Sequence, residues 1–423
     1  MSKSDHNISY VYAPARQSKK IDNVPSLQTK KPNHSRTAPP KAEAGPARKP
    51  VVGVLVTPRH RSKYHFPTGK DARIKKEMIE SARKHGILMY FFYPRDLDWQ
   101  KNLIKGHTLK TDGSKNNVEW TIDQFPFPDI VYNRLSFRRN EAQKHVRSLL
   151  NRLEKSPHIY LFNRRFLNKW EVHQSLAENS HSSALVPETR LLNLANLQIM
   201  ADKYPELFIK PANKSIGKGI IKVERKDQSS RYLYKTAASP AKWNISPSVK
   251  HLHHRLEEMI DHDDIYMIQR GIDLATYKGR IFDLRVEVQK NGHGLWVFTG
   301  AGVRIAALGK YVTHVPNGGS RAVYEEIIHK VFGRSKSQID YLSQQIKYIC
   351  SVVPEVLENS LKITLGILSI DIGIERSGLM QVIEVNSKPS SFDENDIRQQ
   401  HLIFLNEYFI HIFKSQHFMN REV

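Results

Sequence analysis

The stretch LMQVIEVNSKPS, residues 379–390, sets a glutamate into an apolar run, an asparagine two residues on and a proline three beyond that. Successive strand side chains alternate faces, so Glu384 and Asn386 point one way while Ile383 and Val385 point the other. A carboxylate among apolar side chains is costly unless something cationic meets it. The segment just upstream, ITLGILSIDIGIE (363–375), reads as a partner strand joined through a turn at Arg376-Ser377-Gly378. In that hairpin Asp371 falls beside or diagonally across from Glu384, with Asn386 next along, as long as the register does not slip by one residue. Three oxygen-bearing side chains on one sheet face suit a hard cation such as magnesium. The same pattern also describes two buried acids satisfied by arginine or lysine, and Lys388 is close at hand.

Upstream of the hairpin, FDLRVEVQ (282–289) alternates cleanly, LWVFTGAGVRIA (295–306) reads as the strand after it, and SQIDYLSQQIKYICSVVPEVLEN (337–359) as a long helix. FIKPA (208–212), GIIKVER (219–225) and YMIQRGI (266–272) read as strands, RYLYKTA as a continuation of that sheet, and SVKHLHHRLEEMIDHDD as a helix. Before about residue 188 the texture differs. VVGVLV (51–56), ILMYFFYP (87–94) and PDIVYNRL (128–135) are strand-like, and the helical pattern DARIKKEMIESARKHG ends at Gly86. Strand, helix and strand in that order predict a small α/β unit with a parallel sheet. Near the C-terminus DIRQQHLIFLNEYFIHIFK is an amphipathic helix, and no internal repeat or heptad array interrupts the chain.

With 423 residues the chain is long enough for two or three domains. The longest apolar runs, such as ILMYFFY, are about a third of a membrane span. The opening MSKSDHNISY has no hydrophobic signal segment, so a cytoplasmic product with no membrane span is expected. The single Cys350 excludes an intrachain disulfide framework and a cysteine-built zinc site. A net charge of +23 calls for an anionic partner: nucleic acid, an anionic polymer, a membrane surface or phosphates. No Cys/His finger, aromatic RNA-binding strand or recognition helix accompanies that charge, so nucleic acid is not favoured. Ten Lys/Arg against three Asp/Glu fall in residues 1–50, and residues 1–49 read as a disordered basic tail.

Two further stretches carry chemistry. In FIKPANKSIGKGI (208–220), Lys210 ends a strand, and Ser215, Gly217 and Gly219 form a loop whose backbone N–H groups can wrap phosphate oxygens. It lacks the GxxxxGK[ST] order of a P-loop, and an ordinary basic turn has the same composition. In FDLRVEV, Asp283, Arg285 and Glu287 share one strand face, and Arg304 follows on the next strand. Arginine forks match phosphate or carboxylate, while an exposed ion-pair ladder has the same alternation.

The order of these elements (Lys169, Lys210 with its glycine loop, MIQRGID, DLR, Arg304, NGG, Asp371, EVN with Pro389) resembles the ATP-grasp superfamily. More narrowly, PDIVYNRL, FNRRFLNKWEVHQSL, ELFIKPANKSIGKGI, FDLRVEVQ and VIEVNSKPS resemble the YheC/YheD family of endospore coat-associated proteins, over about 50–415. The resemblance implies an α/β (α+β) chain. Its N-terminal α/β domain at 50–160 precedes a two-lobed ATP-grasp fold at 161–415 with mostly antiparallel sheets. The ATP-binding lobe covers about 188–272 and the metal-binding lobe about 273–415. It implies that Lys169 and Lys210 contact phosphates, that the loop with Ser215, Gly217 and Gly219 covers them, and that Gln269, Arg270 and Ile272 border the adenine. Asp273 takes the place of a ribose-binding acid. Arg285 and Arg304 match basic residues beside the transferring phosphoryl group, and Asp371, Glu384 and Asn386 match ligands to magnesium, or manganese in its stead. Gln269 departs from the glutamate common at its position, and NKWEVHQ fits the first lysine motif less tightly than the second lysine fits its own. Asn317 and Gly318 resemble an acceptor-site loop.

The implied activity is that of an ATP-dependent carboxylate–amine (or thiol) ligase acting through an acyl phosphate, with unassigned carboxylate and amine substrates. Substrate would enter near Asn133 and Arg134. The absence of a Ser/His/Asp or Cys/His arrangement agrees with such chemistry. The alternative is an ATP-binding structural or regulatory protein of the spore coat, partnered by coat proteins, with little turnover.

Overall fold

Every residue of the run Val51–Val56 is buried, as the central strand of a sheet covered on both faces requires. The computed structural model describes residues 48–57, 66–111, 118–214, 217–226, 231–333 and 335–419. The expected tail at 1–49 therefore lies almost wholly outside the described residues.

The first sheet contains β1 (Val51–Val56), β2 (Leu88–Phe92), β3 (Leu97–Asp98), β4 (Leu103–Thr111), β5 (Val118–Pro126), β6 (Ile130–Arg134) and β7 (Tyr160–Phe162). β2, β1, β6 and β7 run parallel, as the strand–helix–strand order predicts. The antiparallel strands β3, β4 and β5 extend that sheet on the β2 side. Three helices accompany it: α1 (Gly69–Lys84), α2 (Arg138–Glu141) and α3 (Lys144–Glu154). Asp71 in the first turn of α1 and Arg83 and Lys84 in the last complement the helix dipole. Gly86, with φ +72°, supplies the left-handed turn that lets the chain drop into β2. Next comes α4 (Lys169–Ala177), begun by a capping box in which Asn168 and Glu171 satisfy each other's backbone N–H.

The second sheet is wholly antiparallel, in the order β12-β11-β10-β9-β13-β8. Its strands are β8 (Thr189–Leu191), β9 (Glu206–Pro211), β10 (Ile221–Arg225), β11 (Tyr232–Thr236), β12 (Asn244–Ser246) and β13 (Tyr266–Arg270). Helices α5 (Leu194–Lys203) and α6 (Val249–Glu257) bury Leu197, Met200, Leu252 and Leu256 against Ile209, Val223 and Ile268.

The third sheet, also antiparallel, runs β17-β16-β15-β18-β19 with β14 added to β15. It comprises β14 (Thr276–Tyr277), β15 (Arg280–Lys290), β16 (Trp296–Ile305), β17 (Ser320–Val323), β18 (Ile367–Ile374) and β19 (Met380–Asn386). Alternation sorts its residues: Leu284, Val286, Ile370 and Ile372 turn to one face, where helices α7 (Tyr324–Phe332) and α8 (Lys336–Leu361) pack on them. The charged residues of β15 and β18 are left on the other face. The last helix, α9 (Asn395–Met419), bridges two sheets. Leu402, Leu405 and Phe409 join Val52, Val54 and Phe162 of the first, while His401 Nδ1 meets the buried Glu287 carboxylate of the third at 2.7 Å.

Asn163 fastens the first sheet to the third. It is fully buried with φ 51°, a left-handed conformation that asparagine tolerates better than most residues. Its amide donates to the carbonyls of Ile367 (2.6 Å) and Ser387, and its carbonyl accepts from the N–H groups of Gly366 (2.9 Å) and Ile367 (3.3 Å).

Candidate active site

The polar face of the third sheet carries a continuous charged row. Cross-strand register sets Arg285 opposite Asp371 and Asp371 opposite Glu384. A bulge follows Asp371, so that Ile372 pairs with Val382. Arg285 Nε donates to Asp371 Oδ1 at 3.0 Å and its Nη2 to Oδ2 at 3.2 Å, a bidentate fork. One position along, Arg304 and Asp283 face each other through two bonds of 2.8 Å. Arg304 also reaches Asp371 Oδ2 at 3.0 Å, and Thr313 donates to Asp283 at 2.6 Å. Burial alone would raise the Asp371 pKa, but Arg285 and Arg304 outweigh it and hold the carboxyl well below the usual range.

Glu384 does not meet Lys388. Its carboxylate lies 3.4 Å from Lys169 Nζ, the first residue of α4. Lys388 instead turns to Glu141 of α2, with its ammonium 4.7 Å from the centre of the Phe166 ring. Asp371, Glu384 and Asn386 thus share one face, Asn386 lying opposite Ser369, whose buried Oγ has no partner among the described residues. Two carboxylates and a carboxamide are hard oxygen donors, the type that magnesium accepts, so this donor set fits that ion. Among the described residues no cluster of three or more His, Cys, Asp or Glu offers a different metal site.

Across from this row lies the second sheet, and between the two is a cavity of about 780 Å³, within the range of small-ligand pockets. Lys210 of β9 and Lys169 of α4 line it together with Arg304, Asp371 and Glu384. Lys210 donates to the Gln269 side-chain carbonyl, and the Gln269 amide donates to Thr189 at 3.1 Å. Burial, with some help from the Lys169 charge, lowers the Lys210 pKa to about 8, against the pull of Glu384. Gly217 lines the same cavity, and Gly217 and Gly219 have φ of +68° and +75°; a Cβ on Gly219 would come 3.2 Å from Pro211 Cγ. Ser215 lies outside the described residues.

The other expected positions divide. Gln269, Arg270, Ile272 and Asp273 line one end of the cavity, where the Arg270 N–H is already bonded to the Glu188 carbonyl (3.0 Å) and Asp273 pairs with Arg376 at 3.2 Å. Asn317 sits over the glycine loop, its Nδ2 3.2 Å from where a Gly217 Cβ would stand, and Gly318 turns the chain with φ +89°. Arg285, at one end of the charged row, and Asn386 beside it do not line the cavity. Asn133 is not brought to it. Fully buried, it spends its amide on the Arg164 carbonyl (2.7 Å) and its oxygen on the Leu135 N–H (3.2 Å). Arg134, at the end of β6, reaches Ser391 Oγ at 3.4 Å and Met78 Sδ at 3.1 Å.

Residues 158–410, more than half of the chain, match the family model described as YheC/D like ATP-grasp. The chain belongs to the YheC/D-like ATP-grasp family. The endospore coat-associated protein YheD of Bacillus subtilis is 27% identical over 316 residues, 74% of this chain and 67% of the relative. YheC of the same organism is 21% identical over 322 residues, 75% and 85% of the two chains. Among solved structures, the D-alanine–D-alanine ligase from Coxiella burnetii superposes with a TM-score of 0.47 at 12% identity, covering 88% of this chain and 98% of its own.

In this YheC/D-like chain two parts of the site have no sequence signal of their own. Thr313 and His314 stand just before the Asn317-Gly318-Gly319 turn and line the cavity beside Arg304. Proximity to that turn was the signal that could have drawn attention to them. The Lys388–Glu141 pair joins residues 247 positions apart, which no local pattern reveals.

Proposed function

We propose that the chain is an ATP- and magnesium-dependent ligase joining a carboxylate to an amine, or to a thiol, through an acyl phosphate. The observation that carries this reading is the row Arg285–Asp371–Glu384–Lys169, of which Asp371, Glu384 and Lys169 line the 780 Å³ cavity that Lys210 borders from the facing sheet. ATP carries three or four negative charges at its phosphate end, and Lys169, Lys210 and Arg304, all lining the cavity, would meet them. Asp371, Glu384 and Asn386 would hold magnesium, which supplies Lewis-acid neutralisation of the phosphates. Arg285 and Arg304 have phosphate-matching forks already aimed across the row, and they need only exchange Asp371 for phosphoryl oxygens.

In the first step a carboxylate oxygen of the substrate attacks the γ-phosphorus. The bond to the β,γ-bridging oxygen breaks, and ADP departs with its electron pair. In the second the nucleophile attacks the acyl carbon and inorganic phosphate leaves. Little covalent chemistry falls to the protein, whose work is placement and charge neutralisation. Substrate enters between the N-terminal α/β unit, residues 50–160, and the ATP-grasp lobes, residues 161–415. The relatives' names, endospore coat-associated proteins, support a place at the endospore coat for this chain as well.

The test is ADP release from purified chain supplied with ATP, magnesium and pooled cell metabolites, each product followed by its gain in mass. Activity is expected from the wild type, with a loss on the order of a hundredfold in Glu384→Gln and an unchanged circular dichroism spectrum. No ADP above background with any acceptor mixture defeats the ligase reading. Equal activity in the variant defeats the metal assignment.

A further inference from the structure

His314 lies in the segment between β16 and β17, on the cavity wall from which Arg304 and Thr313 reach Asp283. Its Nδ1 is buried and has no hydrogen-bond partner among the described residues. A buried imidazole nitrogen left without a partner costs free energy that the fold recovers elsewhere, and such atoms in native proteins are few. Its surroundings explain what could satisfy it. On one side stands Gly217 of the phosphate-covering loop, where a Cβ would be 3.8 Å from Nδ1. The ring shares the cavity wall with Asp283 on β15, Arg304 on β16, Asp371 on β18 and Glu384 on β19, and their charges reach it. The imidazole is thus placed between the glycine loop and the charged row, where the outermost phosphate of a bound nucleotide would come to lie under the ligase reading.

The local backbone holds the ring there. The His314 carbonyl accepts from the Asn317 N–H at 2.9 Å and from the Gly319 N–H, closing a tight turn with Gly318 in the left-handed region. Gly319 admits no side chain, because a Cβ would be 2.2 Å from the Thr313 carbonyl oxygen. Tyr311, three residues before His314, ties the same segment to the root of the glycine loop by donating to the Ile220 carbonyl at 3.3 Å. Burial and the neighbouring Arg304 lower the imidazole pKa from its ordinary value, which keeps the ring neutral at physiological pH. A neutral imidazole has one N–H to donate, and in a cavity rich in ammonium and guanidinium groups it adds a donor without adding another buried charge.

We infer that His314 is a further catalytic residue, its imidazole donating a hydrogen bond to a non-bridging oxygen of the phosphoryl group in transit from ATP to the carboxylate. The ring keeps its proton throughout, and the bond that forms and the bond that breaks are those at phosphorus described above. This inference rests on the ligase reading and adds a residue for which neither the sequence motifs nor the relatives' names speak.

The experiment compares magnesium-loaded ADP with a non-hydrolysable ATP analogue by titration calorimetry of the full chain. A hydrogen bond to a charged phosphoryl oxygen makes His314→Ala about tenfold weaker for the analogue while leaving ADP affinity within about twofold. His314→Asn, whose amide nitrogen falls near the Nδ1 position, is expected to regain most of the loss. Retained ADP binding also reports that the variant is folded. An equal loss for both nucleotides, no loss for either, or an Asn variant no better than Ala overturns the assignment to His314. Failure of the wild-type chain to bind either nucleotide overturns instead the ATP reading beneath it.

Discussion

Lys210 offers the sharpest test of the nucleotide site, because its proton reports directly on what occupies the cavity. In the folded protein burial lowers its pKa to about 8. The unfolded chain has an ordinary lysine near 10.5. Between these two values the unfolded state binds the proton that the native state has released, so stability rises with pH across that window. Phosphate oxygens placed beside the amine reverse the preference, favour the ammonium and draw its pKa back up. Nucleotide binding should therefore take up a proton: about half a proton per nucleotide at pH 8 and about a tenth at pH 7, from the fraction of a pKa-8 group left unprotonated. Affinity must fall as pH rises through 8, since the amine has to be protonated to bind. Calorimetry of magnesium–ATP analogue binding in buffers of different ionisation enthalpy measures the uptake. Lys210→Met, which removes the titrating group and fills the space of its stem, serves as the subtraction. Uptake at pH 8 that is absent in the wild type, or unchanged in Lys210→Met, would refute the placement of Lys210 against the phosphates.

Two structural predictions accompany it. Asn163→Ala removes four hydrogen bonds, leaves the backbone of Gly366 and Ile367 unsatisfied in the core and puts alanine at φ 51°, so a loss of about 3 kcal/mol or more is expected in urea unfolding. A loss below about 1 kcal/mol would mean that this joint is not what holds the first and third sheets together. Lys388→Met leaves Glu141 without its buried cation and is expected to cost about 3 kcal/mol, whereas Lys388→Met with Glu141→Gln recovers part of it. Additive losses in the double variant would show that the two side chains are not coupled.

Much of this was legible because the decisive elements are local. The β18–β19 hairpin is written in alternation and a Ser-Gly turn, so strand parity alone put Glu384 and Asn386 on one face. The register then set Asp371 opposite Glu384. The condition attached to that reading, a slip of one residue, did not arise: the bulge follows Asp371, on the far side of the acidic pair from Asn386. The β4–β5 hairpin was not read, because KGHTLK and EWTIDQ mix polar and apolar residues without a clean period of two and cover only part of a core face. Asn133 is expected near the substrate entrance from the implied ligase activity, although an Asn-Arg pair after a strand is often merely structural. Folded, its amide is consumed by two backbone groups, and one of them, the Arg164 carbonyl, is 31 positions away. Contacts of that kind depend on which elements pack together, which no window of sequence contains. The same holds for Glu384, whose cation is supplied from 215 residues upstream by Lys169 rather than from its own strand's Lys388.

The charged row also explains how the protein carries so dense a set of buried charges. Along it each acid has its own cation: Arg285 and Arg304 on Asp371, Lys169 on Glu384, and Arg304 again on Asp283. Each charge is satisfied inside the protein, so none has to be buried bare. Under the ligase reading, binding of a magnesium nucleotide would be an exchange of partners, with phosphates taking the guanidinium and ammonium groups and the metal taking the carboxylates they release. An exchange of this type leaves the number of satisfied charges unchanged and requires little motion of the sheet that holds them. It also means that neither half binds well alone: phosphate without the cation would strand Asp371 and Glu384, and the cation without phosphate would strand Arg285 and Lys169. Under the ligase reading, metal and nucleotide are therefore expected to bind with positive coupling, each raising the affinity for the other by the same factor.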